Sequence, residues 1–347
     1  MLKLWVKFET NNAVKLSTEG CHDVDDFLKV CKKEFSSKLG SFDVDQLSLS
    51  STDGGTPFQP DDPIPAQNTA KTPLYIDVKN KKIPSVIFSK IKLGDCVRTD
   101  GLALKIDYVS VKAPTIHIPD DFAAPNASEF LCETLARIEK VWVLDNEKAC
   151  RIVIDAILTE VLLNESNEQL LGFCEVKNDW EGTGFGYTGD VDYMFGSSKT
   201  KSVDTMDSFL LVVEAKYEWP ARSVAQTLAE AGCLLKKRLA AGKNTPVFAV
   251  LTNGHLFRFF AIDTDGVVYA SEEEVLKLGK DETYNTSSSL SEILRWLTWF
   301  MTAIKSISPR ASTKELTDEK IDDSLTQLRN CFGPKNPILT KKVKIQK

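Results

Sequence analysis

The sequence predicts an α+β head followed by a larger α/β domain whose mixed central sheet is flanked by helices. Three observations carry this reading. The first 80 residues hold short alternating strand patterns around one amphipathic helix. A polar stretch, "DVKNKKIPS" at 77–85, then interrupts the pattern and ends on Pro84 and Ser85. Beyond residue 126, helical periods and apolar strand-like runs take turns, as in a sheet covered by helices. A chain of 347 residues has room for two or three domains.

In the head, "LKLWVKFE" sets Leu2, Leu4, Val6 and Phe8 against Lys3, Trp5 and Lys7, a strand with one buried face. "TNNA" supplies turn residues and "VKLS" resumes the extended pattern, so a hairpin is expected. "DVDDFLKVCKKEFSSKLG" spaces Phe27, Leu28, Cys31 and Phe35 as a helix, with acids first, lysines later and Gly40 at its end. "QLSLSS", the turn "TDGGT" and "PLYIDVK" add short strands. This ββαββ order in residues 1–80 resembles a ubiquitin-like β-grasp fold. Such a head reads as a small interaction or targeting module. Residues 81–125 contain strand-like pieces and prolines and read as a connector without an assigned role.

In residues 126–308, "SEFLCETLARIEKVWVLD" and "NEKACRIVIDAILTEVLL" are helical by period. "LLGFCEVKND" reads as a strand. "GDVDYMFG" and "FLLVVEAKYEW" flank a polar loop, so they read as an antiparallel hairpin. "ARSVAQTLAEAGCLLKKRLAAG" is a helix with Val224, Leu228, Ala231 and Leu235 on one face. "TPVFAVLTNGHLFRFFAIDTDGVVYAS" is two strands around "TNG" with a further turn at "DTDG". "SLSEILRWLTWFMTAI" is a helix whose core face is Ile293, Trp296, Leu297 and Phe300, with Ser289 and Glu292 spaced as a capping box. Residues 309–347 read as a polar, basic tail.

Composition excludes several classes. The net charge of −6 gives no global attraction to nucleic acid, so any such contact must use local basic patches. The eight cysteines form no CxxC pair and read as reduced, mostly buried thiols. "MLKLWVKFET" is no signal peptide, because lysines interrupt its apolar residues. No apolar run reaches the ~20 residues of a membrane span. His22, His117 and His255 are the only histidines, and no Ser-His-Asp arrangement is evident. Neither GxGxxG nor HRD occurs, which sets a kinase aside.

The chemistry gathers around two strand ends. Side chains alternate across a strand, so Asp190 and Asp192 share one side, and Glu214 and Lys216 share another. The hairpin brings Asp192 within cross-strand reach of Glu214. Two carboxylates at neighbouring strand ends suit Mg²⁺, which takes oxygen ligands and keeps waters. Lys216 beside them can orient a water or neutralise charge developing on phosphorus. "FLLVV" is apolar on both faces, as for a central buried strand, so its acid and lysine fall at the carboxyl edge of the sheet, where α/β sites form. The plain alternative is two strands that end in charge because they reach solvent.

"GDVDY…VVEAK" resembles the PD-(D/E)xK signature of nucleases with the restriction-endonuclease-like fold. The resemblance implies that Asp192 and Glu214 bind Mg²⁺ or Mn²⁺ and that Lys216 assists the nucleophile. Gly189-Asp190-Val191 stands where many members have a proline, and Asp190 is the alternative to Asp192. Members that add a glutamate on the first core helix point to Glu147, with Glu160 as second choice. Members that add a glutamine after the lysine point to Gln226, which otherwise reads as a surface residue. A ubiquitin-like head joined to a nuclease-like domain resembles the Crinkler effectors of oomycetes and fungi. That resemblance implies delivery by a route the sequence does not show and action in host cytoplasm or nucleus. It also implies nucleic acid as partner, DNA before RNA, and a host protein at the head. Without the delivery step the expected place is cytoplasmic or nuclear. Many double-strand cutters work as pairs of sites, so a homodimer is one expectation. Lys199, Lys201, Lys236, Lys237 and Arg238 are the candidate nucleic-acid contacts, and "KNPILTKKVKIQK" adds five lysines and no acid. A second reading keeps the fold without catalysis, as a module that binds DNA or a host protein.

Overall fold

Alternation in the first strand, β1 (Lys3–Phe8), buries Leu4, Val6 and Phe8 on one face. It pairs antiparallel with β2 (Val14–Ser17). Helix α1 (Val24–Glu34) begins at Asp23, whose carboxylate accepts the Asp26 N–H at 2.8 Å. Its stripe of Val24, Phe27, Leu28 and Cys31 is buried, and α2 (Ser36–Leu39) follows. Strands β3 (Leu47–Ser50) and β4 (Leu74–Val78) complete a sheet of order β2-β1-β4-β3, with β1 and β4 parallel. The structure is a computed structural model that describes residues 2–8, 12–40, 42–78, 83–107, 113–164, 170–197, 209–218, 221–307 and 318–333. The chain divides into two units, Met1–Lys82 and Ile83–Lys347.

The second unit opens with β5 (Ser85–Ile87) and α3 (Leu93–Cys96), in the stretch that reads from sequence as a connector without a role. Then come α4 (Glu129–Val141), α5 (Glu147–Asn164), β6 (Leu170–Glu181), β7 (Gly186–Ser197) and β8 (Phe209–Ala215). Helix α6 (Ala221–Ala240), β9 (Val247–Thr252), β10 (Leu256–Ile262), β11 (Val268–Val275), α7 (Ser288–Ile307) and α8 (Asp318–Arg329) follow. The sheet runs β11-β10-β9-β8-β7-β5, with β6 paired antiparallel along β7. It is mixed: β8 is antiparallel to β7 and parallel to β9, and β5 is parallel to β7. The antiparallel pairing of β7 with β8 is the hairpin that the apolar runs predict. Residues 198–208 between them lie outside the described residues.

Both faces of this sheet are covered. On one, Leu135, Ile154, Ile157, Trp296 and Phe300 pack with Val213, Phe248 and Phe259. On the other, Leu228, Leu234 and Leu235 pack with Val212, Ala249 and Phe260, joined by Phe88, Leu102 and Leu104. All seven residues of β8 are buried, as a strand apolar on both faces requires.

Two local expectations change. The cap of α7 is Ser287, whose hydroxyl accepts the Leu290 N–H at 3.0 Å; Ser289 instead accepts the Lys277 N–H at 2.8 Å. Part of the expected tail is helix α8. The segment after it is anchored, with Cys331 accepting from the His117 N–H at 3.0 Å and Gly333 donating to Thr115 at 2.7 Å. The lysine-rich end, 335–347, lies outside the described residues. All eight cysteines are free thiols, and six are buried. No helix among the described residues is long and apolar enough to cross a membrane.

Candidate active site

The carboxyl end of β8 is where the sequence-derived residues meet. Asp192 comes from β7, Glu214 from β8, Lys216 from the residues just past it, Glu147 from the first turn of α5, and Gln226 from α6. The Lys216 N–H donates to Thr252 O at 2.8 Å, which carries the β8–β9 ladder one residue further. Gly254, at φ +80°, lets the β9–β10 turn close onto α5; a Cβ there would lie 3.1 Å from Cys150 O and from Val153. The turn thereby packs one helical turn from Glu147.

Lys216 is the hub. Its Nζ is paired with Glu214 Oε1, and it donates to Glu147 Oε2 at 3.2 Å and Ala215 O at 3.1 Å. Gln226 Nε2 donates to Glu214 Oε1 at 2.6 Å and to Glu230 Oε1 at 3.0 Å. Asp192 Oδ2 accepts the Ala215 N–H at 2.7 Å, so a β8 amide fixes a β7 carboxylate. Gln226 is buried, not the surface residue of the alternative reading. Asp190 is exposed and stands opposite Lys177 on β6, so the structure brings Asp192, not Asp190, to Glu214.

Burial shapes the electrostatics. Asp192 is 7% exposed and Glu214 1%. Burial pushes the Asp192 carboxyl above its ordinary value, against the Ala215 amide, Lys216 and Arg151. Burial, then the Asp192 charge, pushes Glu214 up to about 7, against Lys216. Burial weakens the Lys216 charge, but Glu214, Asp192 and Glu147 more than restore it, so the ammonium stays protonated.

Four residues that periodicity did not reveal complete the site. Glu230 is fully buried; burial, then the Glu214 charge, holds its carboxyl well above the usual range. Asn178 on β6 donates to the Glu230 backbone carbonyl at 2.9 Å. Arg151 on α5 pairs with Asp192 and Glu175, and its Nη2 lies 3.7 Å from Glu147. Exposed Glu175 sits on β6 between Cys174 and Val176, which pair with Tyr193 and Val191 of β7.

Other candidates fall elsewhere. Glu160 accepts from the Ser128 N–H and hydroxyl at 3.0 and 2.8 Å, joining α5 to the start of α4. Arg238 is buried and donates to Thr245 and to the Phe209 carbonyl, which removes it from any nucleic-acid surface. Lys237 pairs with Asp179 at 2.9 Å, and Lys236 is half-buried. Both lie about 15 Å along α6 from Gln226. Lys199 and Lys201 lie outside the described residues.

Among the described residues, no group of three or more His, Cys, Asp or Glu side chains is arranged to hold a metal ion. Mg²⁺ does not need one, because one or two carboxylates with waters suffice. The donor set fits such an ion. Glu214 Oε2 is a buried acceptor without a partner. Four carboxyls (Glu147, Glu175, Asp192, Glu214) face two cations (Arg151, Lys216), an acidic imbalance that a divalent ion would offset. Comparison with known proteins finds no matching family model and no matching curated protein.

Proposed function

We propose that this chain is a metal-dependent nuclease, with a ubiquitin-like head and a second unit of restriction-endonuclease-like fold. One observation carries the reading: Asp192, Glu214, Lys216, Glu147 and Gln226 converge from four elements on the end of one buried strand, with more carboxyls than cations around it. Structural ion pairs alone do not favour such burial, because removing charges from water costs several kcal/mol per ion.

Asp192 and Glu214 would hold Mg²⁺ or Mn²⁺, which when bound polarises a phosphodiester and acidifies a water. The Ala215 amide fixes the orientation of Asp192, and Gln226 that of Glu214. Lys216, about one-fifth exposed, offers its ammonium to the charge developing on phosphorus or orients the attacking water. Glu147 holds the lysine at this rim. The absence of any broad excess of positive charge favours a substrate held at the site over one gripped along a long basic face. DNA is preferred over RNA on the resemblance alone.

A second reading keeps the fold without catalysis. Its support is the pairing of both acids with basic side chains, Arg151 on Asp192 and Lys216 on Glu214. On either reading the head is a module for contact with a host protein, and delivery into a host cell rests on the Crinkler resemblance. Supercoiled plasmid and a matched RNA, each with Mg²⁺ or Mn²⁺, test the proposal. Nicking that stops in EDTA is the expected result. Nicking that persists in EDTA rejects the metal, and salt-sensitive binding without cleavage selects the second reading.

A further inference from the structure

Of the two cations at the site, Lys216 has a role in the mechanism above and Arg151 does not. It follows Glu147 by one turn of α5. Its Nη2 holds Asp192 Oδ1 and its Nη1 holds Glu175 Oε1, while its Nε is buried without a partner. The other Asp192 oxygen already accepts the Ala215 N–H. A ligand that binds Asp192 through Oδ1 must share that oxygen with Arg151 or displace it.

Glu175 shows that the guanidinium's place is enforced. Its backbone is left-handed, at φ 52°, inside β6. The β6–β7 register passes from Cys174↔Tyr193 to Val176↔Val191 and skips Glu175 and Asp192. A left-handed backbone is strained for a residue other than glycine. An ion pair to a well-exposed glutamate returns little against that strain. Stability alone does not explain the arrangement, and strained backbone of this kind clusters at functional sites. The consequence is mechanical: Arg151 has two anchors, one buried and one at the rim. It can release Asp192 while Glu175 keeps it at the site. Once Asp192 is released, the planar guanidinium has N–H donors for phosphate oxygens.

We infer that Arg151 is a phosphate-contacting residue, which exchanges Asp192 for a phosphate oxygen of the nucleic acid when Asp192 takes a divalent cation. This rests on the metal-dependent reading of Asp192. It adds a residue outside the Asp–Glu–Lys set.

Two binding measurements test it without relying on turnover. Mn²⁺ binding is followed by calorimetry. Binding of a fluorescent duplex oligonucleotide in Mn²⁺ is followed by anisotropy in a Lys216→Ala background. Arg151→Ala is expected to bind Mn²⁺ at least about threefold tighter, because a competing cation is gone, and the duplex about tenfold weaker. Arg151→Lys keeps a cation but loses the fork, so it is expected to hold Mn²⁺ as the parent does and the duplex weakly; it also guards against a misfolded alanine variant. Unchanged Mn²⁺ and duplex affinities in folded variants overturn the inference, as does weaker Mn²⁺ binding in Arg151→Ala. If Mn²⁺ and duplex respond as expected while plasmid stays uncut, the nuclease proposal fails and the role of Arg151 stands.

Discussion

The two units handle charge in opposite ways. In the head, the acids and lysines of α1 stay at the surface, where Lys29 bridges Asp25 and Asp26 with most of its side chain exposed. The core beneath is apolar, built on Leu4, Val6, Phe27 and Leu49. In the second unit, Asp192, Glu214 and Glu230 are buried at one strand end, tied to Lys216, Gln226 and Arg151. The head has the economy of a domain selected to fold. The second unit keeps a costly charge cluster in a sheet that could have been wholly apolar, and perturbed buried acids of this kind concentrate at functional sites.

Breaking the cluster is expected to separate function from stability. Glu214→Gln keeps the shape and removes the charge, so plasmid nicking should fall at least about a thousandfold. The unfolding midpoint of the second unit should hold or rise, because a buried charge is gone. A large fall in that midpoint would mean that the cluster holds the fold together. The contrasting cut in the head is Phe27→Ala, expected to destabilise the first unit by about 3–5 kcal/mol. Amide exchange should then quicken in β1 and β4 and stay unchanged in β8.

The pH response sharpens the contrast. Glu214 stands at about 7 against an ordinary 4.5, and Glu230 is also raised. Carboxyls with raised folded values contribute stability that is complete below about pH 4.5 and is lost as pH rises through about 7. In EDTA, the second unit is expected to lose on the order of 2–3 kcal/mol between about pH 5 and pH 8. Glu230→Gln should flatten that slope. The smallest effect is expected at the surface of the head, where Lys29→Ala should leave the unfolding midpoint unchanged within error.

How far the sequence reached follows the same division. The head was legible because its strands and helix each bury one face, so period alone marks Leu4, Val6, Phe27 and Cys31. Asp192, Glu214 and Lys216 were legible because a hairpin converts sequence separation into register. Arg151 was not, because an arginine on an otherwise amphipathic helix reads as solvent-facing. Glu230 was missed for a related reason. It lies off the Val224–Leu228–Leu235 stripe, but α6 is buried on more than one side. The Cys96 thiol donates to Ala225 O, and Leu102 and Leu104 lie against Gly232. The small residues of "AQTLAEAG" were the available signal, since they let neighbours approach a helix from several directions. Residues 85–87 were opaque because their partner is β7, about 100 residues away, and no local pattern encodes such pairing.

The most direct test of the central claim is relaxation of supercoiled plasmid by the wild type beside Asp192→Asn, Glu214→Gln and Lys216→Ala, with Mg²⁺ and with EDTA. The account expects nicking by the wild type in Mg²⁺ alone, and none by the three folded variants. Equal nicking by wild type and Glu214→Gln, or nicking in EDTA, would contradict it.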